Sequence, residues 1–225
     1  VLIPDMDAGC SLASSITGED VRILKEKYPG VPVVSYVNTS AEVKAETDIC
    51  CTSANAVKVV ESLGVDKVIF LPDHYLANYV QKNTKVKIIS WQGTCIVHEK
   101  FTAKEIEDIR KENPDIKIIA HPECPPDVIS ASDFAGSTSN MVEYVKENQP
   151  KKVLLVTECT MSDNVQVENP NVKFIKPCNL CPYMNKITLQ KIYDCLEKES
   201  NEIKISHNIA AMARKSVQRM TAIGR

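Results

Sequence analysis

The sequence has no long hydrophobic run and no large net charge, and no secretory leader is visible in it. No apolar stretch approaches the roughly 20 residues that a helix needs to cross a bilayer, so we expect no membrane partner. The 27 Lys and Arg residues nearly balance the 29 Asp and Glu residues, and the net charge is −2. We therefore expect no nucleic-acid partner and assign the protein to the cytoplasm.

A disulfide framework is also not indicated. The nine cysteines are an odd number in a long chain of 225 residues, whereas disulfide scaffolds are usually small secreted proteins. A reducing compartment fits better, and some thiols then become candidates for metal binding or catalysis. For five cysteines we favour burial as small hydrophobic side chains. These are Cys50, Cys51, Cys124, Cys159 and Cys195.

What the sequence does contain is one pattern that occurs three times. Residues 86–106 read VKIISWQGTCIVHEKFTAKEI, and residues 1–21 and 172–192 follow the same pattern. Each copy has a short apolar run, a cysteine and, seven positions later, a threonine before a helical pattern. We predict a strand, a thiol and a capped helix start. The cysteines are Cys10, Cys95 and Cys181, and the threonines are Thr17, Thr102 and Thr188.

The repetition extends beyond the cysteines. With an offset of 85, KVIFLPD at 67–73 aligns without a gap on KVLLVTE at 152–158. Strands alternating with helices predict an α/β fold with parallel sheets, built as a pseudo-threefold arrangement of repeated α-β-α sandwich domains with the first domain incomplete. The predicted domains are 1–30 (the C-terminal part of the first repeat), 31–115 (the second), 116–200 (the third) and 201–225 (a helix packing back on the first repeat).

Three equivalent thiols at strand ends converge if the units form a ring. Such a set can hold an iron–sulfur cluster or a zinc ion. Cys178 and Cys181 form a competing C-x-x-C pair, whose spacing also suits zinc half-sites and redox pairs. An offset of 86 aligns Cys95 with Cys181, which makes Cys181 the candidate ligand. Cys178 is then a spare thiol or a redox partner.

Polar residues follow the first strands of two units. Tyr36 and Asn38, and likewise His121 and Glu123, alternate along a strand end and so share one face. Hydroxyls then stand at predicted helix starts, where carboxylate and phosphate groups bind, although plain helix capping explains them equally well. The hydroxyl residues are Ser53, Ser137 and Thr138.

The histidines outside this set carry weaker signals. His98-Glu99 lacks the second histidine of a zinc-protease helix. We therefore expect His98 and His74 to be structural hydrogen-bonding residues, and His207 to be exposed.

Several long motifs together resemble the quinolinate synthase family, and the resemblance covers nearly the whole chain. They are PDMDAGCSLA, SYVNTSAEVKAETDICCTSANA, WQGTCIVHEKF, AHPECPPDV, SDFAGSTSNM and CPYMNKITL. The resemblance implies condensation of iminoaspartate with dihydroxyacetone phosphate to quinolinate, phosphate and water, in de novo NAD biosynthesis. The enzyme that supplies iminoaspartate is then a candidate partner.

The resemblance also implies a cofactor and residue roles. A 4Fe-4S cluster would be bound by Cys10, Cys95 and Cys181, and its open iron would act as a Lewis acid. The family's first domain contributes a further histidine, tyrosine and serine, so we expect the chain to be part of a longer protein. By the same resemblance, Tyr36 and Asn38 would contact the intermediate. Glu123, helped by His121, would be the general acid or base. The carboxylate or phosphate groups would be held by Ser53, Ser137 and Thr138.

Two other functions use the same thiols. An iron–sulfur hydro-lyase acting on a hydroxy acid would use the same open iron without consuming dihydroxyacetone phosphate. A non-catalytic protein would hold structural zinc or sense redox state through the cysteines, and it would be colourless and free of labile sulfide.

Overall fold

The computed structural model describes residues 1–176 and 179–224. It contains two parallel four-stranded sheets with the same strand order, β2-β1-β3-β4 and β6-β5-β7-β8. This confirms the α/β class and the parallel sheets. The strands are β1 Val33–Tyr36, β2 Ile49–Cys51, β3 Lys67–Leu71, β4 Lys87–Ser90, β5 Ile116–Ala120, β6 Phe134–Ala135, β7 Lys152–Val156 and β8 Lys173–Ile175.

Helices lie between the strands in the described part of the chain. Two single 3₁₀ turns, His98–Lys100 and Met184–Lys186, follow the second and third repeated cysteines. None of the described helices is both long and apolar enough to cross a membrane. The helices are α1 Ser11–Ser14, α2 Gly18–Lys27, α3 Ala41–Ala45, α4 Ala56–Ser62, α5 His74–Asn83, α6 Ala103–Glu112, α7 Pro126–Ala131, α8 Thr138–Asn148, α9 Thr160–Glu168, α10 Leu189–Lys198 and α11 His207–Ile223.

The strands are apolar because helices cover both faces of each sheet. Along β3, Val68 and Phe70 contribute to one hydrophobic core and Ile69 and Leu71 to another, and all four are fully buried. A continuous apolar run is typical of parallel strands buried on both faces. The second sheet repeats this arrangement with its own two cores.

The strand order fixes where a ligand can bind. The chain passes from β1 to β2 on one side and then returns to place β3 on the other side of β1. A crevice forms at the carboxyl ends of the strands where the direction of winding changes, and open α/β sheets bind ligands there. The equivalent crevice in the second sheet lies between β5 and β7.

The predicted helix starts are confirmed. Thr17 with Asp20 and Thr102 with Glu105 form complete capping boxes at the starts of α2 and α6. Thr188 accepts a hydrogen bond from the Lys191 amide at the start of α10. A cap of this kind contributes about 1 kcal/mol to stability, so the threonines fix the helix that follows each cysteine.

Two expectations differ from the structure. The strand expected at the start of the first copy is reduced to one antiparallel bridge between Leu2 and Glu202. Helix α11 packs on α3 and β2 of the second repeat instead of returning to the first. Ser216 of α11 donates to the Lys44 carbonyl at 2.9 Å, and Arg219 donates to the Asp48 carbonyl at 2.8 Å. The physical reason is that β2 is an edge strand, and a covering helix protects such an edge from further pairing.

Candidate active site

One cavity of about 630 Å³ collects residues from the ends of both sheets and from the repeated cysteine segments. Its position matches the crevices at the carboxyl ends of the strands, where ligands of α/β folds bind. The polar and sulfur-bearing residues that line it include Cys10, Tyr36, Asn38, Cys95, His98, His121, Glu123, Thr138, Thr157, Glu158, Asn164 and Cys181.

The three repeated cysteines all line this cavity as partly buried free thiols. Burial raises the pKa of Cys10 above its usual value and raises that of Cys95 to about 12. The pKa of Cys10 is also raised by the charge of Cys181, and that of Cys95 by the charge of Cys10. The three thiols are therefore close enough to act on one another electrostatically.

Backbone amides offset part of the pKa increase that burial causes, in the same way at the first and second repeated cysteines. The amides of Leu12 and Ala13 hydrogen-bond to the Cys10 sulfur and lower its pKa. The amides of Val97 and His98, at the same two offsets, do so for Cys95. Amide donors aimed at sulfur favour the thiolate, which is the form that binds metal.

The remaining cysteines behave differently. Burial as free thiols is confirmed for Cys50, Cys51, Cys124 and Cys195. Cys159 is buried but disulfide-bonded, so our expectation of a simple buried thiol is wrong for it. Cys178 lies outside the described residues, and its alternatives stay open.

The spacing of the thiols bears on what they can hold. Thiolates that share one tetrahedral zinc ion lie about 4 Å apart, because each Zn–S bond is about 2.3 Å long. In residues 1–176 and 179–224, the one group with three ligand atoms within 4.8 Å of one another is Cys95, His98 and Glu123. The three repeated thiols do not form such a group, so at least one pair of their sulfur atoms lies more than 4.8 Å apart.

His98, His121 and Glu123 form a buried cluster beside Cys95. The His98 Nδ1 atom lies 3.1 Å from Glu123 Oε2, and His121 Nδ1 lies 3.7 Å from Glu123 Oε1. The two imidazole rings stack with centroids 4.7 Å apart. His98 Nε2 lies 2.9 Å from the Thr157 hydroxyl. Because a carboxylate can only accept, a proton on His98 Nδ1 would face Glu123 and leave Nε2 to accept from Thr157, although Nδ1 makes no hydrogen bond in the structure.

The charges in this cluster follow from burial and hydrogen bonding. Burial lowers the pKa of His121 to about 4, so its imidazole is neutral at neutral pH. Burial alone would raise the pKa of Glu123, but interactions with His121, His98 and Tyr36 hold it below its usual value. The pKa of Glu123 is held at about 2, so its side chain is an ionised acceptor at neutral pH.

Tyr36 supplies the complementary proton donor. Burial, followed by the negative charge of Glu123, raises the Tyr36 pKa well above 10. The Tyr36 hydroxyl interacts with Glu123 and also with the Ser53 hydroxyl. Tyr36 thus stays protonated and faces an ionised carboxylate. Asn38, two residues further along the strand end, is exposed on the same cavity wall.

The three hydroxyl residues occupy different places. Thr138 lines the cavity at the start of α8 and is exposed. Ser137 is 2% exposed, and its hydroxyl donates to Asn140 Oδ1 at 2.6 Å within a capping box. Ser53 contacts Tyr36 behind the cavity wall. The helix-capping alternative therefore describes Ser137, whereas Thr138 is the hydroxyl that a ligand can reach.

Several cavity residues were missed by reasoning from the sequence. His98 was expected to be structural, and it does bond to Thr157, but it also lines the cavity. Thr157 and Glu158 directly follow β7, so they lie at the crevice between β5 and β7. The repeat aligns them with Pro72 and Asp73, and this alignment was the available signal.

Outside the cavity, the two remaining histidines are where they were expected. His74 Nδ1 lies 3.2 Å from the Ser90 hydroxyl and His74 Nε2 lies 3.1 Å from Asn78, which confirms a structural role. His207 is exposed at the start of α11.

Comparison with known proteins places the chain in one family. A family profile described as "Quinolinate synthetase A protein" matches residues 1–222. The chain is 59% identical over 223 residues to the quinolinate synthase of Xylella fastidiosa, covering 99% of this chain and 66% of that protein. It is 56% identical over 223 residues to quinolinate synthase 2 of Mesorhizobium japonicum, covering 99% and 69%.

A third relative gives the same result with a shorter overlap. The quinolinate synthase of Sinorhizobium fredii is 60% identical over 220 residues, which are 98% of this chain and 61% of that protein. The chain thus spans about two thirds of the length of the curated relatives it matches. Since the family profile covers nearly the whole chain, this protein belongs to the quinolinate synthetase A family.

Proposed function

We propose that this chain forms the greater part of a quinolinate synthase, which condenses iminoaspartate with dihydroxyacetone phosphate to quinolinate, phosphate and water in NAD biosynthesis. The observation that carries the proposal is the shared cavity. It brings the three repeated thiols together with Tyr36, Asn38, His121 and Glu123. Family membership supports the same activity.

The proposed cofactor is a 4Fe-4S cluster held by Cys10, Cys95 and Cys181. Three lining thiols, two of them with amide donors at sulfur, and a spacing wider than one zinc ion needs support this choice. When bound, such a cluster supplies an iron with an open position that acts as a Lewis acid on substrate oxygen or nitrogen.

Anionic groups of the substrates would be held mainly by neutral donors. No lysine or arginine lines the cavity among the described residues. Thr138 and the free amides at the start of α8, which is 11 residues long, can donate to a carboxylate or phosphate. Asn38 also lines the cavity and offers an amide donor and an acceptor. The cavity volume is within the range usual for small-molecule sites.

Proton transfers in the isomerisation and dehydration steps would involve Glu123 and Tyr36. Glu123 is ionised at neutral pH and accepts a proton, and Tyr36 is protonated and returns one. His98 orients the Glu123 carboxylate, and neutral His121 provides a further hydrogen-bonding group against it. Ser53 holds the Tyr36 hydroxyl in place.

The larger assembly is proposed from the repeat. The two described sheets have the same strand order, which is what two members of a pseudo-threefold set of domains require. Residues 1–30 would then belong to a first domain that contributes a further histidine, tyrosine and serine to the site. The enzyme that supplies iminoaspartate is the proposed protein partner.

Iron and acid-labile sulfide, measured after anaerobic reconstitution, test the cofactor directly. We expect about four of each per chain in the wild type and in Cys178→Ala, and loss of both in Cys181→Ala. Quinolinate formation that consumes dihydroxyacetone phosphate would separate this function from a hydro-lyase. Zinc without sulfide would contradict the cluster and favour a single ion at Cys95, His98 and Glu123.

A further inference from the structure

A backbone contact near the cysteine ligands is repeated in the second and third units. The His74 amide donates to the Gly93 carbonyl at 2.8 Å, and the Cys159 amide donates to the Asn179 carbonyl at 3.2 Å. The donors are related by the offset of 85 and the acceptors by the offset of 86, as in the sequence repeat. Each contact joins the third residue after a strand, β3 or β7, to the residue two positions before the repeated cysteine.

The carboxylate that precedes the donor makes a second contact in the third unit. The backbone amide of Cys181 donates to Glu158 Oε1 at 3.3 Å. At the equivalent position, burial raises the pKa of Asp73 to about 8 and the Cys95 amide opposes this shift, but Asp73 Oδ2 has no hydrogen-bond partner among the described residues. Asp73 is joined to Gly93 by a parallel bridge. Within the described part of the chain, the hydrogen bond from a cysteine amide to the acidic side chain is therefore present in the third unit and not in the second.

Each carboxylate also holds the helix that follows its strand. Asp73 Oδ1 accepts from the Leu76 amide at 2.6 Å, and Glu158 Oε2 accepts from the Thr160 amide at 2.9 Å. The Glu158 side chain thus connects the start of α9 to a cysteine segment. A cap alone would not need the second contact, and Glu158 is not the N-cap residue of α9.

The close approach of the two segments is built into the backbone. A Cβ atom added at Gly93 would lie 2.6 Å from the Pro72 carbonyl oxygen and 2.5 Å from the Ser15 hydroxyl oxygen. No side chain fits there without movement of the backbone. The loop before Cys95 is therefore held against the end of β3.

We infer that Glu158 is a positioning residue that holds the backbone amide of Cys181 and so fixes one of the three thiols. The inference rests on the proposed cluster at the repeated cysteines. Groups that orient metal ligands commonly change metal affinity by about 10–100-fold when they are removed. Glu158 would act on the cluster through the Cys181 amide and not as a metal ligand.

Glu158 is suited to a test because its side chain is partly exposed and its replacement disturbs no core. In the reconstituted protein we expect Glu158→Ala to release iron to a chelator about tenfold faster than the wild type under anaerobic conditions. Glu158→Gln keeps an acceptor for the Cys181 amide, so its release rate should stay near that of the wild type. Removal of the negative charge in this variant should raise the reduction potential of the cluster.

Glu168→Ala is the matched control. Glu168 lines the same cavity from the end of α9 and makes no contact with a cysteine amide in the described part of the chain. Its variant should release iron at the wild-type rate. An unchanged rate in Glu158→Ala, or equal acceleration in Glu158→Gln and Glu158→Ala, would overturn the inference. A wild type that binds neither iron nor sulfide would instead overturn the proposed function.

Discussion

The second and third repeats share a scaffold but present different chemistry at equivalent positions. Both sheets have the same strand order, and the ends of β1 and β5 open into one cavity. The second repeat places Tyr36 and Asn38 there, and the third places His121 and Glu123. Tyr36 stays protonated, whereas Glu123 stays ionised. The repeat thus fixes where side chains project, and individual substitutions decide which one donates and which one accepts a proton.

The largest effect is expected at the cysteines that the repeats have in common. Cys95→Ala should abolish cluster binding, because each of the three equivalent thiols supplies a ligand. Iron and sulfide analysis and the visible absorption spectrum measure the loss. Cys195→Ala is the control, since Cys195 is a buried free thiol outside the cavity. Full cluster content in Cys95→Ala would show that the equivalent thiols do not act together.

The next largest effect is expected at Glu123, which follows the end of β5. Glu123→Gln should keep the cluster but lower kcat by about 10²–10⁴-fold, because the amide cannot accept the proton. Steady-state formation of quinolinate by the whole protein, together with iron analysis of the same sample, provides the measurement. Loss of the cluster in this variant would mean that Glu123 serves as a ligand with Cys95 and His98.

A smaller loss is expected at the other strand end. Tyr36→Phe removes the proton donor but leaves the ring in the core, so kcat should fall by about 10²-fold with little change in stability. The matched control is Tyr79→Phe, because the Tyr79 hydroxyl lies 3.5 Å from the Ala135 carbonyl oxygen. Equal activity in the two variants would remove Tyr36 from the proton path and leave Glu123 to act alone.

The smallest effects distinguish two adjacent hydroxyls of the third repeat. Thr138→Ala should raise KM about tenfold, because a hydrogen bond to a charged group contributes roughly 1.5–3 kcal/mol. Ser137→Ala should instead lower the free energy of unfolding by about 1 kcal/mol through loss of the α8 cap. Kinetic measurements and thermal unfolding check the two variants. A KM change confined to Ser137→Ala would reverse these assignments.

Features set by local sequence pattern were predictable, and features set by packing across repeats were not. The capping boxes at Thr17 and Thr102 and the alternation of strands and helices repeated at an offset of 85 follow from short motifs and periodicity. His98 was expected to be structural because no sequence motif brings it to Glu123 and Thr157, which follow it by 25 and 59 positions. Its role depends on how two units pack together.

The tail helix illustrates a second limit. The apolar face of α11 predicted a packed helix, but the partner that we expected, the first repeat, was wrong. Its placement depends on which sheet edge is open, and on polar contacts such as the one from Ser216 to the Lys44 carbonyl. A hydrophobic pattern indicates which face of a helix must be buried, but it does not indicate which other element of the fold packs against that face.

The contact between His98 and Glu123 crosses from one repeat to the next, and this has a consequence for how such a site can arise. His98 belongs to the second repeat, while Glu123 and Thr157 belong to the third. A separate single repeat would have to find its neighbour by diffusion before these groups could meet. Joining the repeats in one chain replaces that encounter by a high effective concentration, so the proton-transfer groups are assembled whenever the chain is folded.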